Sequence, residues 1–112
     1  MNIKEILEKY KTDDRILGLT KAVQSKQARI QLKGLIGSLD AFVASANYFL
    51  THRNMVFILP DREEANYFQA DLESLLDKEV LVFPSSYRKS FDFTQTDSAN
   101  VLMRAEVLNE LN

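Results

Sequence analysis

Two glycines and a serine in residues 34–41 have the spacing of a phosphate-binding loop. Backbone N–H groups of such a loop cradle phosphate, a Lys reaches the outer phosphates, and a Ser or Thr hydroxyl binds magnesium. The segment comprises Gly34, Gly37, Ser38, Leu39, Asp40 and Ala41, with Leu35 and Ile36 between the glycines. Leu, Asp and Ala stand where the motif needs Gly, Lys and Ser or Thr. The sequence therefore predicts a vestigial loop that binds no cofactor and no metal.

Asp40 makes this segment unfavourable for phosphate. A helical pattern follows Ser38, so Asp40 falls in the first turn of a helix, where free N–H groups and the helix dipole favour negative charge. A carboxylate there supplies that charge itself and repels phosphate. The spacing is equally consistent with an ordinary junction of strand, glycine turn and helix that has no relation to nucleotides, and both interpretations remain open.

The composition excludes several kinds of chemistry. The chain has 112 residues, a formal charge of −2, no cysteine and one histidine, His52. Disulfides, thiolate metal sites and cysteine nucleophiles are thus excluded, and a triad built on His52 is improbable. No run approaches the roughly 20 apolar residues of a membrane span. Because residues 1–11 are too charged for a secretory signal, we expect a cytoplasmic protein.

Apolar runs alternate with amphipathic helical patterns after residue 27. Strands are predicted at residues 28–33, 55–59 and 80–83. Helices are predicted at residues 38–52, from an N-cap at Asp61, and from Thr96 or Asp97 with Val101, Ala105, Leu108 and Leu111 buried. This alternation is typical of parallel strands joined by crossover helices. The expected fold class is α/β, with a small parallel sheet of about three strands flanked by helices.

Residues 1–27 form a separate unit in this interpretation. Two short apolar stripes predict a helical leader there, followed by an α/β domain at residues 28–112. Three strands are few for this class, and the last helix reaches the end of the sequence. We therefore expect a piece of a longer protein with an exposed apolar surface where the remainder would pack.

Four segments in order resemble one family. They are residues 34–38 (GLIGS), 56–65 (VFILPDREEA), 83–87 (FPSSY) and 97–104 (DSANVLMR). Their order and spacing are similar to those at the start of bacterial transcription-repair coupling factors, in the module that resembles the excision-repair helicase UvrB. The likeness covers residues 28–112.

The resemblance implies a non-catalytic scaffold domain with a degenerate helicase loop. Proteins of this family remove stalled RNA polymerase from damaged DNA and recruit nucleotide excision repair. Their ATP-dependent translocase motor lies in later domains, and the surface that binds the repair protein UvrA belongs mainly to the domain that would follow. The expected partners are the neighbouring domains of the parent protein, and through the parent RNA polymerase, UvrA and DNA.

An aromatic and basic loop follows the third predicted strand. Tyr87, Arg88, Lys89 and Phe91 could stack on bases and neutralise phosphates as a weak nucleic-acid or partner contact. In UvrB a hairpin follows the similar segment, and that hairpin is missing here. The favoured alternative is that these aromatic side chains seal the sheet, so we expect weak or no DNA binding.

Two other classes of function remain. One is a nucleotide-binding or hydrolysing enzyme in which Lys33 replaces the missing loop lysine, although Lys33 precedes the glycines. The other is a free-standing α/β signalling module such as a phospho-receiver. That module needs an acidic pair after its first strand, whereas Asp13 and Asp14 precede every predicted strand.

Overall fold

The computed structural model describes residues 2–84 and 95–112, and within these residues the regular structure is helical. The helices are α1 (Ile3–Thr12), α2 (Asp14–Gln24), α3 (Leu39–Thr51), α4 (Arg62–Leu76) and α5 (Gln95–Leu111). Segments without regular structure connect α2 to α3 and α3 to α4, and another follows α4. None of the described helices combines the length and apolar character needed to cross a bilayer.

Side-chain caps fix the beginnings of three helices. Asn2 and Glu5 form a reciprocal capping box at the start of α1, and the Asp13 carboxylate accepts from the backbone N–H of Arg15 at the start of α2. The Asp61 carboxylate accepts from the N–H of Glu64 at 2.8 Å, which confirms the predicted N-cap of α4. These bonds satisfy N–H groups that a first helical turn leaves without partners.

The predicted α/β fold is wrong for the described residues. Residues 28–33, 55–59 and 80–83 have no regular structure and form no strand pairs, so the described part of the chain contains no parallel sheet. A strand needs a neighbour to take up its backbone hydrogen bonds. For Val80, side chains of α4 supply the hydrogen-bond partners that a neighbouring strand would supply. Gln69 donates to the Val80 carbonyl at 2.7 Å, and Glu73 accepts from the Val80 N–H at 3.2 Å.

Helix α3 lies at the centre of the packed helices and contacts α1, α2 and α4. On one side a cluster joins it to the two leading helices, whose prediction is confirmed. That cluster contains Leu7, Ile16, Val43 and Ala46. On the other side Ala41 packs with Leu72 and Leu75 of α4. The core is therefore formed between helices, and not on a sheet.

Small and polar residues of α3 are buried together with its apolar ones. Ser45 and Ala46 are fully buried, and Asn47 is nearly so. The Asn47 amide oxygen accepts from the Thr20 hydroxyl at 3.0 Å, which joins α3 to α2 inside the core. Because buried polar atoms need such partners, this bond fixes how the two helices face each other.

Helix α5 is present near its predicted start, but its predicted burial is wrong. It contacts none of the other described helices. The four side chains expected to be buried, Val101, Ala105, Leu108 and Leu111, are all exposed. Large exposed apolar side chains lie on α5, on the segments between helices and, in Ile3, Leu17 and Tyr67, on other helices. That they form a surface for the remainder of a longer protein stays a prediction.

Candidate functional site

The segment before α3 forms the glycine-dependent bend that the sequence predicted. Gly34 has φ +84° and Gly37 has φ +62°. Residues that carry a Cβ rarely adopt this left-handed backbone region. No atom lies within 4 Å of the place where a Cβ on either glycine would stand. Glycine is therefore favoured at both positions by backbone conformation and not by lack of space. Ser38 follows as the residue before α3, and its side chain makes no capping hydrogen bond.

The Asp40 carboxylate places a negative charge at the beginning of α3. One carboxylate oxygen accepts from the backbone N–H of Ala41 at 2.7 Å, at a partly buried position. That N–H is one of the donors that a phosphate at this helix start would use. A phosphate would have to displace the carboxylate and approach its negative charge, so the arrangement opposes anion binding.

Ala41 faces the core instead of the bend. It is fully buried and packs with Leu72 and Leu75 of α4. In a working phosphate loop this position would carry the Ser or Thr hydroxyl that binds magnesium. A hydroxyl at residue 41 would point among apolar side chains, so the orientation of α3 excludes the metal-ligand role as firmly as the sequence does.

The substitute lysine of the enzyme alternative lies on an exposed part of the chain. Lys33 is exposed and belongs to the segment without regular structure that precedes Gly34. No ion pair among the described residues joins it to the start of α3. No described ion pair thus holds Lys33 beside the bend, and its role in the enzyme alternative stays a prediction.

The acidic residues of the family-like segment 56–65 lie at the start of α4. Asp61 caps the helix, and Glu63 and Glu64 lie in its first turn. Carboxylates at this position are favoured by the helix dipole. The local helix start therefore accounts for all three acids without a ligand.

The aromatic and basic loop lies outside the described residues. This applies to Tyr87, Arg88, Lys89 and Phe91, so their role as a weak nucleic-acid or partner contact stays a prediction.

An open groove beside α4 is the feature that the sequence did not predict. It has a volume of about 1510 Å³ and is lined by residues 54–62, by residues 78–84 and by one side of α5. Val56 and Ile58 on its rim are almost completely exposed, at 81% and 94%. The uninterrupted apolar run at residues 55–59 predicts a strand, and strands of a parallel sheet are buried on both faces. Periodicity does not show whether a second layer is present to bury it.

Comparisons of this chain with protein-family models, with curated proteins and with solved structures find no match.

Proposed function

We propose that this chain is a non-catalytic scaffold segment of a transcription-repair coupling factor. The parent protein would remove stalled RNA polymerase from damaged DNA and recruit the excision-repair machinery. Support comes from the residues, since four segments at positions 34–38, 56–65, 83–87 and 97–104 follow the order and spacing of that family. The fold is not part of the support, because the sheet expected with that family is absent from the described residues.

The orientation of α3, which follows the glycine bend, is the observation that supports a non-catalytic role. The Asp40 carboxylate occupies the N–H of Ala41 in the first turn of the helix, and the Ala41 side chain is turned into the core. Restoring a Lys and a hydroxyl at these two positions would still leave the hydroxyl among apolar side chains. The loop therefore supports a scaffold role in which it fixes the start of α3 and binds no nucleotide.

A scaffold of this kind needs surface for its neighbours. The described residues offer exposed apolar side chains on the rim of the groove and along α5. In the proposed parent these would contact neighbouring domains, hold the UvrA-binding domain in place and keep it masked until DNA is engaged. The translocase motor would lie elsewhere in the parent and would use none of the residues described here.

The experiment compares the parent protein with variants in this segment. An antibody raised against residues 1–84 should detect a native polypeptide far larger than the 12.9 kDa of this chain. In the purified parent, Asp40→Asn should leave ATP hydrolysis unchanged, because the motor does not use this loop. Charged substitutions of Val56 and Ile58 should also leave ATP hydrolysis unchanged. They should increase UvrA binding, because this segment would no longer cover the UvrA-binding domain.

Two results would contradict the scaffold role. One is a native polypeptide of the size of this chain alone. The other is a parent whose ATP hydrolysis is abolished by Asp40→Asn while its helical content is unchanged. A matched control is Ile36→Glu, because Ile36 is 82% exposed and lies neither on α5 nor in the lining of the groove.

A further inference from the structure

The charges of this chain are unevenly distributed along the sequence. Residues 15–39 contain five basic residues and no acidic residue. The rest of the chain carries all sixteen acidic residues and nine of the fourteen basic ones. The formal charge of −2 is therefore the sum of a positive stretch, which lies between Asp14 and Asp40, and an acidic remainder. A charge asymmetry of this kind indicates an anionic partner for the positive stretch.

The basic side chains between α2 and α3 are exposed and have no structural role among the described residues. All of residues 24–38 are exposed, including Lys26, Arg29 and Lys33. None of these three forms an ion pair with a described residue. Lys21 lies in the last turn of α2, where the helix dipole favours a positive charge. Lys26, Arg29 and Lys33 lie outside the helices, so no helix dipole accounts for them.

The polar side chains of residues 24–33 all carry hydrogen-bond donors. They are Gln24, Ser25, Lys26, Gln27, Arg29, Gln31 and Lys33. The Ser25 hydroxyl donates to the Ala22 carbonyl at 2.6 Å, and within the described residues the other six side chains make no hydrogen bond. Phosphate oxygens accept hydrogen bonds, and Arg, Lys and Gln are among the side chains that contact them most in complexes with nucleic acid. The segment thus has the donors and the charge that a row of phosphates requires.

The stretch has no aromatic residue between Tyr10 and Phe42. Aromatic anchors are enriched in the hot spots of protein interfaces and on helices that lie in a membrane surface. Single strands of nucleic acid are held by stacking of bases on aromatic side chains, and duplex RNA is recognised largely by its shape and its 2′-hydroxyls. The backbone of duplex DNA requires only cations and donors, so it is the anionic partner that this composition fits best.

We propose that residues 24–33 bind the phosphate backbone of double-stranded DNA through Lys26, Arg29 and Lys33. Phosphate contacts carry no direct sequence information, so the binding is independent of base sequence. Three cations release few counterions, so it is weak and sensitive to salt. The DNA contact of the chain then lies before the glycine bend and not in the aromatic loop at residues 87–91. The inference does not depend on membership of a coupling factor.

The first test is the salt dependence of DNA binding by the whole chain. Fluorescence anisotropy of a labelled duplex of mixed sequence measures the association constant between about 50 and 200 mM salt. Each neutralised phosphate contributes about −0.9 to the slope of log K against log salt, so three contacts give about −2.7, or about a 40-fold loss over this range. Each of Lys26→Gln, Arg29→Gln and Lys33→Gln should change the slope to about −1.8, or about a 12-fold loss.

A combined variant with all three substitutions should lose DNA binding at the lowest salt concentration. Its matched control replaces Lys9, Arg53 and Arg62 by Gln, which changes the net charge equally. These three residues are also exposed and form no ion pair with a described residue. The control should keep a slope of about −2.7. Circular dichroism should show the same helical content for both variants, because none of their substitutions removes a buried side chain.

Two results would overturn the proposal at once. One is the absence of any salt-dependent binding of the duplex by the unsubstituted chain. The other is binding that the combined variant retains, or that the control loses to the same extent, because the segment would then not determine it. Vesicles of equal parts phosphatidylcholine and phosphatidylserine, a single DNA strand and an RNA duplex serve as competing probes. Tighter binding to any of these than to the DNA duplex would assign the segment to that partner and overturn the proposal.

Discussion

Replacing Leu72 by Ala should destabilise the chain far more than replacing Leu108 by Ala. Leu72 is 4% exposed and packs between α3 and α4, whereas Leu108 on α5 is 55% exposed. Leu→Ala removes three carbon atoms, each worth about 0.8 kcal/mol when buried, and a residual cavity adds to this loss. We expect Leu72→Ala to lower the free energy of unfolding by about 3 kcal/mol, within the usual range for buried leucines. Leu108→Ala should change it by less than about 0.5 kcal/mol.

The comparison is made by urea unfolding followed by far-ultraviolet circular dichroism, with the slope of the transition checked for both variants. The sequence predicts that Leu108 is buried. If it were, the two substitutions would lower the free energy of unfolding by similar amounts. Equal losses would therefore show that α5 packs into the core, and would refute the helical arrangement described here.

Three further predictions concern single polar interactions. Asp61→Ala should lower the free energy of unfolding by about 1 kcal/mol through loss of the α4 cap, whereas Asp61→Asn should keep most of it. Thr20→Val should cost about 1–3 kcal/mol, because the buried Asn47 oxygen loses its donor, and Thr20→Ser, which keeps the hydroxyl, should cost less; chemical denaturation measures both pairs. The hydrogen bond from the Arg15 side chain lowers the pKa of Asp13 from 3.8 to about 2. The stabilisation is therefore present above pH 3.8 and lost as the pH falls towards 2, and Asp13→Asn should flatten the acid limb of a pH titration of stability.

The helices could be predicted from the sequence because their signals are local. The N-cap at Asp61 predicts the start of α4, and the helical pattern predicts a helix at residues 38–52, close to the observed Leu39–Thr51. Such signals depend on a few neighbouring residues and on the helical repeat. These signals do not depend on distant residues, and the structure confirms both predicted helices.

The strands could not be predicted with the same security. The run from Met55 to Leu59 has the composition of a buried strand, but a strand exists only when distant residues supply its partner. In the described residues no partner is present, and Phe57 packs on α4 instead. Contacts between distant parts of the chain override local preference in such segments.

The candidate loop was predicted in part. The bend at Gly34 and Gly37 and the charge of Asp40 follow from residue types and are found in the structure. The burial of Ala41 was not predicted, because the rotation of α3 about its axis is set by the side chains of α2 and α4 that pack against it. That rotation removes the metal-ligand position from the bend.

Calorimetric titration of the chain with Mg-ATP tests the central claim, a bend that has the form of a phosphate loop without its function. Because the Asp40 carboxylate occupies the Ala41 N–H in the first turn of α3 and the Ala41 side chain lies in the core, we expect no heat of binding at sub-millimolar nucleotide and no phosphate release above the blank. The helical signal of the same sample serves as the control for folding. Micromolar affinity, or hydrolysis abolished by Lys33→Ala, would contradict the claim and favour a nucleotide-using enzyme.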